Sequence, residues 1–155
     1  FEGIALVGPR TDTKTEELAI PDVMGPDLPN VDVTVALTES LPPKSKIKLQ
    51  GGGRFLHWFE HLEGTASVHL STKDGQPAIM GEDHIRYLAG WPDDATFDRI
   101  IGGLCDALDI ETFALPDGLR IRDTDTNRCV FNYAPKAQRW GDVIVPAAGV
   151  YWEEL

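Results

Sequence analysis

Basic charge is scarce in this sequence. Fourteen Lys and Arg stand against 25 Asp and Glu, a formal net charge of −11 with His neutral. A nucleic-acid groove or an anionic membrane face needs an excess of cations, so neither partner is expected. Long apolar runs are also missing. The longest, Val143 to Trp152, contains Pro146 and Gly149 and falls far short of the roughly 20 residues that span a bilayer. Cysteine is limited to Cys105 and Cys129, with no C-x-x-C motif. We read them as reduced thiols and expect a cytoplasmic protein without disulfide staples. Phe1-Glu2-Gly3 has neither an initiator Met nor the basic start of a signal peptide, so the numbered chain is expected to begin inside a longer polypeptide.

What remains is ordinary globular material. The 155 residues are 42% apolar and 25% charged, with 15 Gly and 11 Pro, enough for one domain or two small ones. Ile4 to Val7, closed by Gly8-Pro9, predicts a short buried strand. Arg10 to Asn30 is polar and interrupted by Pro21, Pro26 and Pro29, which predicts a long wrapping loop of the kind that serves an interface or a site. Val31, Val33, Val35 and Leu37 alternate with polar or small residues and predict a half-buried strand. Further strands are expected near Ile47 and Leu49, at Ala66 to Leu70, Ala78 to Met80 and His84 to Ala89, with Lys73-Asp74-Gly75 as a hairpin turn.

One helix is expected, capped by Asp93 or Asp94 and running to about Asp109. Its buried face should hold Phe97, Ile100, Ile101, Leu104 and Leu108, with Cys105 a buried, inert thiol. Gly102 and Gly103 weaken it by roughly 1 kcal/mol each, so tertiary packing must hold it. After Leu115-Pro116-Asp117-Gly118 the sequence turns to strands: a hairpin over Asp123 to Asn127, then Val143 to Val145 and Val150 to Trp152. A boundary near Ala114 separates a mixed first part from an all-β tail of about 40 residues, a size marginal for folding alone.

Few residue groupings suggest chemistry. His57-Trp58-Phe59-Glu60-His61 fits H-x-x-E-H, in which a helix sets two imidazoles one turn apart and a Glu activates metal-bound water. A catalytic zinc also needs a third protein ligand, and Gly51-Gly52-Gly53 before the segment with Gly64 after it allow an extended reading, so we expect no metal or cofactor. The acidic groups Glu16-Glu17, Glu60 with Glu63, Asp93-Asp94 and Glu153-Glu154 are expected to be solvated faces or caps rather than a glycosidase pair. Gly51-Gly52-Gly53 lacks the spacing of a phosphate-cradling loop. Trp58, Trp91, Trp140 and Trp152 suit packing and interfaces, with sugar stacking as the alternative.

The order of the motifs says more than any one of them. Gly8-Pro9-Arg10-Thr11 followed by Lys14-Thr15, Ser40-Leu41-Pro42-Pro43, Tyr87-Leu88-Ala89-Gly90-Trp91-Pro92-Asp93, Leu115 to Arg122 and Phe131-Asn132-Tyr133-Ala134-Pro135 together resemble, in sequence order, the C-terminal half of glycoside hydrolase family 42 β-galactosidases. Arg54, Trp58 and Glu60, with Gly64 to Leu70, resemble the strand pair that lies between. Asp12-Thr13 departs from that family's small Gly-Ser pair.

The resemblance implies an α/β fold. Residues 1–113 would be the later part of an incomplete trimerisation domain, flavodoxin-like and similar to glutamine amidotransferases, strand-rich with one main helix. Residues 114–155 would be a small all-β domain. The catalytic (β/α)8 barrel, which needs about 250 residues, does not fit in this chain. The resemblance therefore implies a non-catalytic fragment of a retaining enzyme that hydrolyses terminal β-D-galactosides, with both catalytic glutamates on the missing barrel. No catalytic, substrate-binding or metal residue carries over. Arg10, Thr11, Trp58 and Trp91 are candidates for assembly or for the wall of a neighbouring active site. The implied partners are further copies of the chain and the barrel, with the galactoside reached only through the parent. A stand-alone zinc hydrolase using His57, Glu60 and His61, or a sugar-binding module, is the alternative.

Overall fold

In the computed structural model, residues 3–12, 17 and 24–155 are described. The middle of the Arg10 to Asn30 loop, including Lys14, Thr15, Glu16 and Pro21, lies outside them. The chain divides into two units, Phe1–Ile110 and Glu111–Leu155. Both are rich in strands, and the described residues contain one α-helix.

The first unit opens with β1 (Ala5–Val7), β2 (Thr34–Ser40), β3 (Ile47–Lys48) and β4 (Arg54–Glu63). It continues with β5 (Ser67–Ser71), β6 (Pro77–Glu82), β7 (Ile85–Leu88), β8 (Gly90–Pro92) and α1 (Asp94–Ala107). One sheet has the order β1-β7-β6-β5; a second has β2-β4-β3, with β8 added to β4. The β5–β6 hairpin turns at the predicted Asp74-Gly75. Gly75 has a positive φ of 86°, and Thr72 closes the turn by accepting from the N–H groups of Gly75 and Gln76. The pairing of β1 with β7 is parallel, with Val7 opposite Tyr87; the other strand pairs among the described residues are antiparallel.

The core of this unit lies on Val33, Leu49, Phe55, Phe59, Ala78, Met80, Tyr87 and Leu88. Each large apolar side chain buried here is worth about 1.5–3 kcal/mol. Gly64, at φ 135°, lies where any side chain would strike the Asp32 carbonyl, so the tight departure from β4 requires glycine.

Two expectations fail in this unit. Val31, Val33 and Val35 are buried as the alternation requires, but Leu37 is 54% exposed. A register shift between Val35 and Leu37 inserts Ala36 as an extra residue and throws the inward phase onto Thr38. The helix begins as expected, with Asp93 as N-cap accepting from the Thr96 N–H at 3.1 Å. Its buried face is narrower than predicted, only Thr96 and Ile100. Phe97 and Ile101 are exposed and Cys105 is only partly buried, because no other element of this unit covers that side among the described residues. Gly90–Pro92, just before the helix cap, has no strand pattern of its own in the sequence. It is a strand, because β4 supplies Phe55, Leu56 and Phe59 as partners.

The second unit contains β9 (Leu119–Asp123), β10 (Asn127–Asn132), β11 (Gln138–Trp140), β12 (Val143–Val145) and β13 (Val150–Glu154). Its sheets have the orders β13-β10-β9 and β11-β12. Leu119, Val130 and Val145 form its core, with Leu115, Ile121, Trp140 and Tyr151 packed around them. So small an apolar centre is supplemented by a buried polar one. The Asn132 amide donates to the carbonyls of Lys136, Val145 and Pro146, and its oxygen accepts from the Ala134 N–H at 3.0 Å. Arg128 grips Asp123 through two hydrogen bonds of 2.8 Å and lies over the Phe113 ring. Trp152 is exposed, because its strand turns Tyr151 towards the core instead, so Trp152 takes no part in the apolar centre of this unit. Both cysteines are free thiols. No helix among the described residues is long and apolar enough to cross a membrane.

Candidate functional site

The histidine segment lies on β4, not on a helix. His57 sits at φ 63°, an irregular point of the strand, and is exposed. His61 pairs with Glu39 across the β2–β4 ladder at 2.8 Å. No group of three metal-capable side chains occurs among the described residues. The H-x-x-E-H pattern therefore does not form the one-turn spacing that makes it a zinc motif.

Glu60 has a different task. Its side chain is fully buried, which for a carboxylate demands compensation by hydrogen bonds. Oε1 accepts from the Arg10 backbone N–H at 3.0 Å and from the Trp58 indole at 2.9 Å. Oε2 accepts from the Tyr87 hydroxyl at 2.6 Å. Three donors from three parts of the chain thus converge on one carboxylate. The Tyr87 hydroxyl also lies against the N–H groups of Arg10 and Thr11. Burial, reinforced by the hydrogen bond to Glu60 and its negative charge, pushes the Tyr87 phenol well above its ordinary value, so it stays a donor at any physiological pH.

The carboxylate fixes the turn that follows β1. Arg10 adopts φ 70°, a strained region for a side-chain-bearing residue, and its N–H is held there by Glu60. Thr11 Oγ1 donates to the Gly8 carbonyl at 2.9 Å, and Asp12 accepts from the Asp27 N–H at 3.1 Å. With its backbone fixed, Arg10 places its guanidinium 5.0 Å from the centre of the Trp58 ring, a cation–π contact. The outcome is an exposed cationic side chain lying on a half-buried indole, with a buried carboxylate beneath.

Of the four residues singled out from the sequence, Arg10, Thr11 and Trp58 come together here. Trp91 does not join them by any contact the structure gives; it lies on β8 opposite Leu56 and is 58% exposed. Sequence reasoning missed Tyr87 and the role of Glu60. The available signal was a carboxylate set among Trp58, Phe59 and Leu62 in a strand, a place where a charge must be hydrogen-bonded. Glu60 and Glu63 are no acid–base pair, since Glu60 is sealed and Glu63 is exposed. Asp93 is the helix cap, and its hydrogen bond from the Thr96 hydroxyl is the chief influence holding its carboxyl below the usual range.

No protein-family model matches the chain. A β-galactosidase of Thermus thermophilus is 36% identical over 141 residues, which are 88% of this chain and 22% of that protein. A β-galactosidase from the psychrophilic Marinomonas ef1 superposes over 98% of this chain and 25% of its own, with a TM-score of 0.83 and 27% identity. A polyextremophilic β-galactosidase of the Antarctic haloarchaeon Halorubrum lacusprofundi covers 98% of this chain and 27% of its own, with a TM-score of 0.78 and 25% identity. The chain therefore spans about a quarter of the length of the proteins it matches. In sequence and in fold the chain is related to a portion of the β-galactosidases, and the matches fit the C-terminal portion to which its ordered motifs point.

Proposed function

We propose that the chain is a non-catalytic C-terminal portion of a glycoside hydrolase family 42 β-galactosidase and serves subunit assembly. In this reading the parent hydrolyses terminal β-D-galactosides with retention, using two glutamates on a barrel that is not part of this sequence. Residues 1–113 are the later part of an amidotransferase-like trimerisation domain, and residues 114–155 are the small β domain. The observation that carries the reading is the matching itself: 36% identity runs along 88% of this chain yet occupies only 22% of the relative. The parallel β1–β7 pairing, with a fixed turn leaving the end of β1, supports an α/β origin for the first unit. The free thiols fit a cytoplasmic location.

Arg10 and Trp58 are the residues we assign to subunit contact or to the wall of a neighbour's active site. Their pair offers a guanidinium laid over a half-buried indole, suited to an acidic or hydroxyl-bearing group of a sugar or of another subunit. Glu60 and Tyr87 act through them, as positioning residues. The zinc-hydrolase alternative gains no support from Glu60, whose two oxygens are already occupied by three donors in a sealed site. The test has two parts. The chain alone should release no product from a chromogenic β-galactoside, and measurable turnover would overturn the assignment. In the parent polypeptide, Arg10→Ala and Trp58→Ala should lower the assembled mass seen by light scattering. Unchanged mass with unchanged KM would overturn the role given to these two residues.

A further inference from the structure

A cleft of about 550 Å³ opens between β3, the Gly51-Gly52-Gly53 turn and the first turns of α1. Its size is that of a small-molecule site. Its charge is opposite to that of the chain as a whole. Lys46, Lys48, Arg54, Lys73 and Arg99 line it, with Asp93 as the one carboxylate, in a chain of formal net charge −11. Over a third of the 14 cationic side chains thus gather around one concavity. Like charges so gathered repel one another, and a bound counter-anion relieves that repulsion while the cleft walls focus the field on it.

The two arginines are already aimed. Arg54 Nε donates to Asp93 Oδ2 at 2.6 Å, and Arg99 Nη2 donates to the Gly52 carbonyl at 2.7 Å. Each is fixed through part of its guanidinium and keeps further N–H groups for an oxyanion. Lys46, Lys48 and Lys73 are exposed and make no side-chain hydrogen bond or ion pair among the described residues. The glycine turn forms the floor. Gly51, Gly52 and Gly53 all have positive φ, and a side chain at Gly53 would strike Thr96 on α1, so glycine brings this turn against the helix.

From this geometry we propose that the cleft is a binding site for a small polyanion bearing phosphate-type oxyanion groups. Three mobile ammonium groups and two anchored guanidinium forks match several oxyanion oxygens at once. The inference is independent of the galactosidase reading.

Isothermal titration of the 155-residue chain with inorganic pyrophosphate and with inorganic phosphate, at low ionic strength, tests it. One saturable site per chain is expected, tighter for pyrophosphate, with amide shift changes at Gly51 to Gly53 and Thr96. Lys46→Gln with Lys73→Gln removes two charges without touching any structural bond and should weaken binding about tenfold or more. Lys136→Gln, in the other unit, should leave binding within about twofold. Lack of a saturable site, or equal weakening by Lys136→Gln, would overturn the proposal. So would salt-sensitive association between copies of the chain that leaves no pyrophosphate binding, since the cleft would then be an interface.

Discussion

Replacing Tyr87 by Phe removes one oxygen and leaves the ring, so apolar burial and packing volume are conserved. The hydroxyl that is lost is fully buried and donates to the Glu60 carboxylate at 2.6 Å. A hydrogen bond to a charged group in such a place contributes about 1.5–3 kcal/mol, and Oε2 is left without that donor where water does not reach. We expect Tyr87→Phe to cost about 2–3 kcal/mol at neutral pH, or roughly 4–12 °C in the melting temperature of a chain this size. Urea unfolding followed through amide signals of β4 and β7 isolates the first unit. An alkaline series supplies a second readout. The folded state holds the Tyr87 proton above the phenol's ordinary pKa of 10.0, so between that value and the raised one the unfolded chain binds fewer protons. This tyrosine's contribution is therefore complete below about pH 10 and declines above it, by up to about 1.4 kcal/mol per pH unit. The gap between the parent chain and Tyr87→Phe should narrow as pH rises past 10. A variant within about 0.5 kcal/mol of the parent chain at pH 7, or a gap that stays constant into strong alkali, would refute the account of the Glu60 site.

Asn132→Leu should unfold the second unit selectively, because the buried Val145 carbonyl loses this donor and the Ala134 N–H its acceptor, at about 1–3 kcal/mol for each buried orphan, whereas the Pro146 carbonyl keeps the Gly149 N–H; amide spectra would show the β9, β10 and β13 signals collapsing. Asp93→Ala should speed amide exchange through the first turn of α1, since Thr96 loses its N-cap acceptor. Because the Asp93 carboxyl is held below its usual 3.8, that protection is present above this pH and lost as pH falls below it, and the difference from the variant should vanish in acid.

Where local chemistry decides structure, the sequence is readable. Asp74-Gly75 specifies its turn, Asp93 its cap, and the alternation from Leu119 to Asp123 its strand. Alternation fails at Leu37 because one inserted residue reverses every later position, and composition carries no mark of Ala36 as that residue. The helix face is narrower than its spacing predicts for a related reason. Periodicity tells which residues share a side, not whether anything lies against it, and Phe97 and Ile101 are left open within their unit. Trp91 belongs to a strand only because β4 is there to receive it. Arg10, Thr11 and Trp58 were selected by resemblance. The carboxylate that joins them lies 50 residues from Arg10, and no local pattern links such positions.

The parallel pairing of β1 with β7 has a kinetic meaning. Ala5 meets Ile85 and Val7 meets Tyr87, so just over half the chain separates the residues that this edge of the sheet brings together. The β5–β6–β7 meander closes over short loops, whereas docking β1 must overcome the entropy of a far longer one. On this ground β1 and the turn bearing Arg10 are expected to dock after the meander, so that the Arg10 N–H is the last of the three donors to reach Glu60.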